Sequence, residues 1–126
     1  MNNHPDDVEA IGFAASRTFF RIAMAWRLEE ADQCRLLGDP LPDAYRSWRR
    51  GDSAPNDSIL TRIACVIGIY QALHVLFPDP LQADQWIWRP NDAEVFGGRT
   101  ALDLMSSGGL SGLRTVEQYL QAQLCG

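Results

Sequence analysis

One stretch near the middle of this chain limits its fold more than any other, the apolar run from Ser58 to Phe77. Ile59, Ile63, Val66, Ile67, Tyr70, Leu73 and Phe77 recur at steps of three and four, which is the spacing of one helix face. The turn-rich segment Asp52-Ser-Ala-Pro-Asn-Asp57 precedes it and Pro78 ends it. So wide an apolar stripe needs cover from several neighbours, so the reading is a central core helix that joins the two halves of the chain. The remaining residues must supply amphipathic partners for it. At 126 residues and 46% apolar content the chain can fill one such core, as a single domain or as two small helical units that share it.

The flanking sequence reads as those partners. Pro5 followed by Asp6, Asp7 and Glu9 marks a helix start, because proline suits the first turn and acids suit the positive end of the helix dipole. Val8, Ile11, Ala15, Thr18, Ile22 and Ala25 give that helix one stripe, running to about Trp26. A short helix is expected over Glu29 to Leu37, stopped by Gly38, and another over Pro42 to Arg50, stopped by Gly51. Beyond Pro78 come a helix over Leu81 to Trp88, a turn at Arg89-Pro-Asn-Asp92, and a loop through Phe96-Gly97-Gly98. Thr100 caps a helix to about Ser107, with Asp103 as its capping-box partner. After Gly108-Gly109 a last helix, Leu110 to Leu124, sets Leu113, Val116, Leu120 and Leu124 on one side. No segment alternates at period two, so the expectation is an all-α, compact multi-helix fold without strands or repeats. Three regions follow: 1–55, N-terminal helical; 56–80, the core helix; and 81–126, a unit of small helices.

Several functions are excluded or disfavoured. The longest apolar run, around Ile63 to Tyr70, contains Cys65 and Gly68 and falls short of the ~18 residues that mark a membrane-spanning helix. The N-terminus is acidic and lacks the regions of a signal peptide, so the chain reads as cytoplasmic. Cys34, Cys65 and Cys125 are odd in number and far apart, and only His4 and His74 accompany them. They read as reduced thiols, with no metal site and no cofactor implied. His74 reads as a packed or surface residue, and Trp48, Trp86 and Trp88 as packing anchors. No Ser/His/acid set is close in sequence, and Gly97-Gly98-Arg99-Thr100 lacks the full phosphate-loop consensus. The chain therefore reads as non-enzymatic.

A net charge of −5 conceals an asymmetry. Residues 17–50 hold seven Arg against five acids, whereas residues 51–126 hold four Arg against eight acids. Every basic residue is arginine, which favours bidentate contact with phosphate, guanine edges or carboxylates. The unit from Leu28 to Arg50, two short helices around a tight turn, has the outline of a helix-turn-helix. Tyr45, Arg46, Arg49 and Arg50 are its candidate DNA contacts. A packing hairpin has the same outline, and Asp39 and Asp43 sit where they repel phosphate.

The second constellation runs Trp86-Ile-Trp-Arg-Pro-Asn-Asp-Ala-Glu-Val-Phe-Gly-Gly-Arg-Thr-Ala-Leu-Asp-Leu-Met105, followed by Gly108-Gly109 and the closing helix. It resembles the toxin-binding domain of the Xre/MbcA/ParS antitoxins, over roughly Leu81 to Gly126. Ala101 departs from the proline that often follows Gly-Gly-Arg-Thr in that family. Upstream, Trp26, Leu28, Leu36-Leu37-Gly38 and Tyr45-Arg46-Ser47-Trp48-Arg49-Arg50-Gly51 resemble its Xre-type helix-turn-helix. The resemblance implies a RES-domain toxin that destroys NAD as partner, held in a stoichiometric homodimeric or larger toxin–antitoxin assembly, and operator DNA as a second ligand. It places toxin contacts at Asn91, Phe96, Gly97, Gly98, Arg99, Tyr119, Leu120 and Leu124. A stand-alone helix-turn-helix regulator is the alternative.

Overall fold

The computed structural model describes residues 5–126. His4 and the three residues before it lie outside the described residues. Among the described residues seven helices follow one another: α1 (Pro5–Ala25), α2 (Glu30–Leu36), α3 (Pro42–Arg50), α4 (Asp57–Leu76), α5 (Pro80–Gln85), α6 (Ala101–Ser107) and α7 (Gly109–Cys125). A single 3-10 turn, Trp86–Trp88, extends α5. Among the described residues the one β-type contact is an isolated bridge between Pro90 and Thr100. The chain is all-α.

α4 starts cleanly because the Asn56 side chain accepts a hydrogen bond from the Ile59 amide at 3.0 Å. It buries Ile63, Cys65, Val66, Ile69, Ala72 and Leu73, and α1, α5 and α7 pack against it. The expected stripe holds at Ile63, Val66 and Leu73, while Ile59, Ile67, Tyr70 and Phe77 are half-buried. Cys65, Ile69 and Ala72 join the core because α4 is covered on more than one side. Taken as a whole helix rather than as an uninterrupted run, α4 is long and apolar enough to cross a membrane. That differs from the expectation, which counted only the uninterrupted run.

α1 corrects its expected stripe. Ile22 of that stripe is buried, at 3% exposure, but Val8 is 47% and Ile11 63% exposed; the rest of the buried face runs through Gly12, Ser16, Phe19, Ala23 and, just past the helix, Trp26. These positions also repeat at steps of three and four, rotated from the face that β-branched residues suggested. The aromatic volume of Phe19 and Trp26 decides the orientation, because large rings contribute the most buried area. Trp26 is 1% exposed, and its carbonyl accepts a hydrogen bond from Trp88 Nε1 at 2.8 Å. That bond joins the end of α1 to the 3-10 turn.

The closing helices meet at close quarters. α6 packs on α7, and a Cβ added at Gly112 would run into the backbone carbonyl of Leu104. Leu113, Val116 and Leu120 of α7 are buried, and Leu124, one turn further, is 37% exposed. Thr100 caps α6 through the Asp103 amide at 3.0 Å. The Asp103 carboxylate lies 3.5 Å from Arg99 and takes no reciprocal place in a capping box.

Candidate partner-binding site

The segment from Arg89 to Thr100 folds back on itself, and Asn91 ties it together. The Asn91 amide donates to the Arg99 carbonyl at 3.0 Å, and its own carbonyl accepts from the Gly98 amide at 3.0 Å. Its side chain accepts from the Ala93 amide at 2.8 Å. Gly97 and Gly98 adopt φ of 57° and 84°, in the left-handed region that L side chains resist. No heavy atom lies within 4 Å of a Cβ built at either glycine. Backbone curvature, not crowding within the chain, is what the glycines serve. Gly97, Gly98 and Arg99 form an exposed crest.

Beneath the crest the loop is anchored by aromatic packing. Phe96 is fully buried and meets Tyr119 edge-on at 5.0 Å and Trp86 edge-on at 5.8 Å, while Trp86 stacks on Tyr119 at 6.3 Å. Such edge-to-face pairs add stabilisation beyond the area they bury. Beside this cluster Leu76, Phe77, Trp86, Tyr119, Leu120 and Gln123 line a cleft of about 300 Å³.

Of the residues expected to contact a partner, the structure joins Asn91, Phe96, Gly97, Gly98 and Arg99 in one loop and brings Tyr119 to it through Phe96. Gly97, Gly98, Arg99 and Leu124 present themselves at the surface, and Tyr119 is half-buried. Phe96 and Leu120 are in the core, at 0% and 1% exposure, and Asn91 spends its side chain on the loop. Those three hold the shape that the others present. Sequence reasoning placed Phe77 on the core stripe alone and did not single out Leu76 or Gln123, because a cleft wall drawn from the ends of α4 and α7 leaves no local pattern.

The expected DNA face is arranged differently. Tyr45 is 1% exposed, packs edge-on against Phe20, and donates its hydroxyl hydrogen to Gln33 Oε1 at 2.6 Å. Burial pushes its pKa up, outweighing the neighbouring Arg49 charge. Its side chain is placed to link α3 to α2 rather than to reach a ligand. Arg46, Arg49 and Arg50 are exposed, yet each has an acid at hand: Asp43 at 3.1 Å, Glu30 at 4.0 Å and Asp52 at 2.8 Å respectively. Neither α2 nor α3 has a side-chain cap at its start.

His74 Nε2 lies 2.8 Å from Asp84 Oδ1, and its ring packs on Tyr70 at 4.2 Å, which ties α4 to α5. Cys65 is buried, Cys34 partly so, and Cys125 exposed. Among the described residues no group of His, Cys, Asp and Glu is disposed to hold a metal ion.

Comparison with known proteins agrees with the geometry. Residues 72–124 match the family described as the antitoxin Xre/MbcA/ParS C-terminal toxin-binding domain. That match begins inside α4 and takes in the loop, the aromatic cluster and the cleft. The chain is also similar to the uncharacterized protein y4oB of Sinorhizobium fredii, with 41% identity over 111 residues, 87% of this chain and 84% of that one. No solved structure matches.

Proposed function

We propose that this chain is a cytoplasmic, non-enzymatic antitoxin of the Xre/MbcA/ParS type that binds a RES-domain, NAD-degrading toxin and covers its active site, a reading that starts from the match of residues 72–124 to the toxin-binding domain of that family. The observation that carries the reading is the closed Gly-Gly-Arg loop seated on Phe96, Trp86 and Tyr119, inside the segment that matches the toxin-binding domain.

The chemistry is that of a cap. Exposed glycines let the loop backbone approach a partner closely, and a rigid aromatic seat means little conformational freedom is lost on docking. Arg99 is only loosely held by Asp103 at 3.5 Å and can turn its planar fork to a carboxylate on the toxin. Leu124 and the rim of the neighbouring cleft supply apolar area beside it. In the same proposal Arg46, Arg49 and Arg50 of α3 contact operator DNA in a homodimeric or larger assembly, where several weak faces act together.

Co-expression with the product of the adjacent gene tests the proposal. The wild-type chain restores growth and co-purifies with that product. Arg99→Glu combined with Leu124→Glu folds, by its helical circular dichroism, but abolishes both. Wild-type behaviour of the double variant overturns the site, and failure of the wild-type chain to bind any adjacent product overturns the function.

A further inference from the structure

Beside its contact with α4, α1 also lines a cavity with the end of α3. Phe13, Ser16, Arg17, Phe20, Arg21 and Met24 repeat at steps of three, one, three, one and three, and together with the end of α3 they enclose a cavity of about 320 Å³. That volume lies within the range of small-molecule sites. Phe13, Phe20 and Trp48 give it aromatic walls. Arg17 and Arg21, one turn apart on α1, face it together with Arg49 and Arg50 of α3, and no acidic residue lines it among the described residues.

Ser16, 2% exposed, is among the lining residues, and its Oγ is buried without a hydrogen-bond partner. Buried hydroxyls nearly always have a partner, so an orphan lining a cavity marks where a ligand atom fits.

We propose that this cavity binds a nucleoside phosphate, the base against the aromatic walls and the phosphate on the arginines, with Ser16 bonded to the ligand. Four arginines line this one cavity, which suits a ligand with more than a single negative charge. A phosphate monoester carries about −1.5 to −2 at neutral pH, where one carboxylate carries less. Planar forks match phosphate oxygens two at a time, and flat bases stack on aromatic rings. The contacts that Arg49 and Arg50 make with Glu30 and Asp52 are solvent-exposed, and such pairs yield readily. The inference rests on this cavity and not on the toxin-binding reading.

The test is calorimetric titration of the full chain with AMP, adenosine and inorganic phosphate in turn. AMP binds saturably at one site per chain, and adenosine and phosphate each bind at least about tenfold more weakly, because each lacks one half of the contacts. Arg21→Gln, at an exposed position outside the expected DNA face, weakens AMP by about tenfold, the usual effect of losing a charge-assisted hydrogen bond. Ser16→Ala weakens it by about threefold or more without lowering the melting temperature, since it removes a buried unpaired hydroxyl. The proposal falls if AMP gives no saturable heat at millimolar concentration, if phosphate alone matches AMP, or if Arg21→Gln binds AMP like the wild type. It falls equally if only duplex DNA binds and Arg21→Gln weakens the duplex, since the arginines then belong to a nucleic-acid surface.

Discussion

The loop above α6 and the outer face of α3 both carry candidate functional residues, but they are built on opposite principles. In the loop, position is set by backbone hydrogen bonds around Asn91 and by a buried ring, Phe96, that cannot leave without emptying the core. On α3, position is left to long arginine side chains that are more than half exposed, each near a carboxylate. The first arrangement gives a rigid surface, sensitive to packing and, apart from Arg99, little affected by salt. The second gives an adjustable charge that salt screens within about 10 Å at 0.1 M.

The strongest attack on this contrast is Phe96→Ala. Removing a fully buried phenyl ring costs about 3–5 kcal/mol, and here it also removes the partner of both Trp86 and Tyr119. Urea unfolding of the variant measures the loss, and pull-down with the toxin measures the loop. A cost below ~1 kcal/mol, far under the usual range for such a deletion, means that the loop is not seated as described. Next in size is the pair Arg49→Ala with Arg50→Ala. If α3 contacts an operator as proposed, affinity in a mobility-shift assay falls by tenfold or more, and the salt dependence of log K becomes shallower by about two, as expected when two phosphate contacts are lost. Toxin co-purification stays unchanged. An unaltered salt slope removes DNA from this face.

The two regions were also unequally legible in the sequence. Thr100, the glycine pairs and the order Trp, Pro-Asn, Gly-Gly-Arg-Thr are local signals, and helix ends and the loop could be read from them directly. The bounds of α3 came from Pro42 and Gly51 in the same way. Which face of α1 turns inward was not legible, because Val8 with Ile11 and Phe19 with Trp26 offer two competing stripes, and only the neighbours choose between them. Tyr45 misled for a related reason. Beside three arginines it looks like a surface residue, yet Phe20 and Gln33, distant in sequence, bury it. The cleft beside Tyr119 joins the ends of two helices that are far apart in the chain, so no local pattern announced it.

A smaller effect comes from titration. Burial raises the pKa of Cys34 and Tyr45 on the N-terminal side and of Cys65 and Tyr70 on α4. In each the folded state favours the protonated form. That contribution is therefore complete below the ordinary thiol and phenol pKa values of 9.0 and 10.0, and is lost as pH rises through the raised values. The urea midpoint should stay level up to about pH 8.5, where free thiols begin to ionise, and decline above it. Alkylation at pH 8 should follow the same logic: exposed Cys125 reacts first, Cys34 slowly, and Cys65 only on unfolding. Rapid labelling of Cys65 in the native protein contradicts the packing of α4 on α7.

The smallest expected effect bears most directly on why α3 is a weaker candidate than the loop. The Asp43 side chain is 99% exposed and lies 3.1 Å from Arg46, so it competes with phosphate for that guanidinium without anchoring anything in the core. Asp43→Asn removes the competing charge and leaves the fold intact. If α3 reads DNA, operator affinity should rise by about two- to fivefold, with a steeper salt dependence as Arg46 gains a phosphate of its own. Toxin binding, set by a loop that shares no charge with α3, should not move. Unchanged affinity would show instead that Arg46 never meets the duplex, and that the arginines of α3 face some other anion.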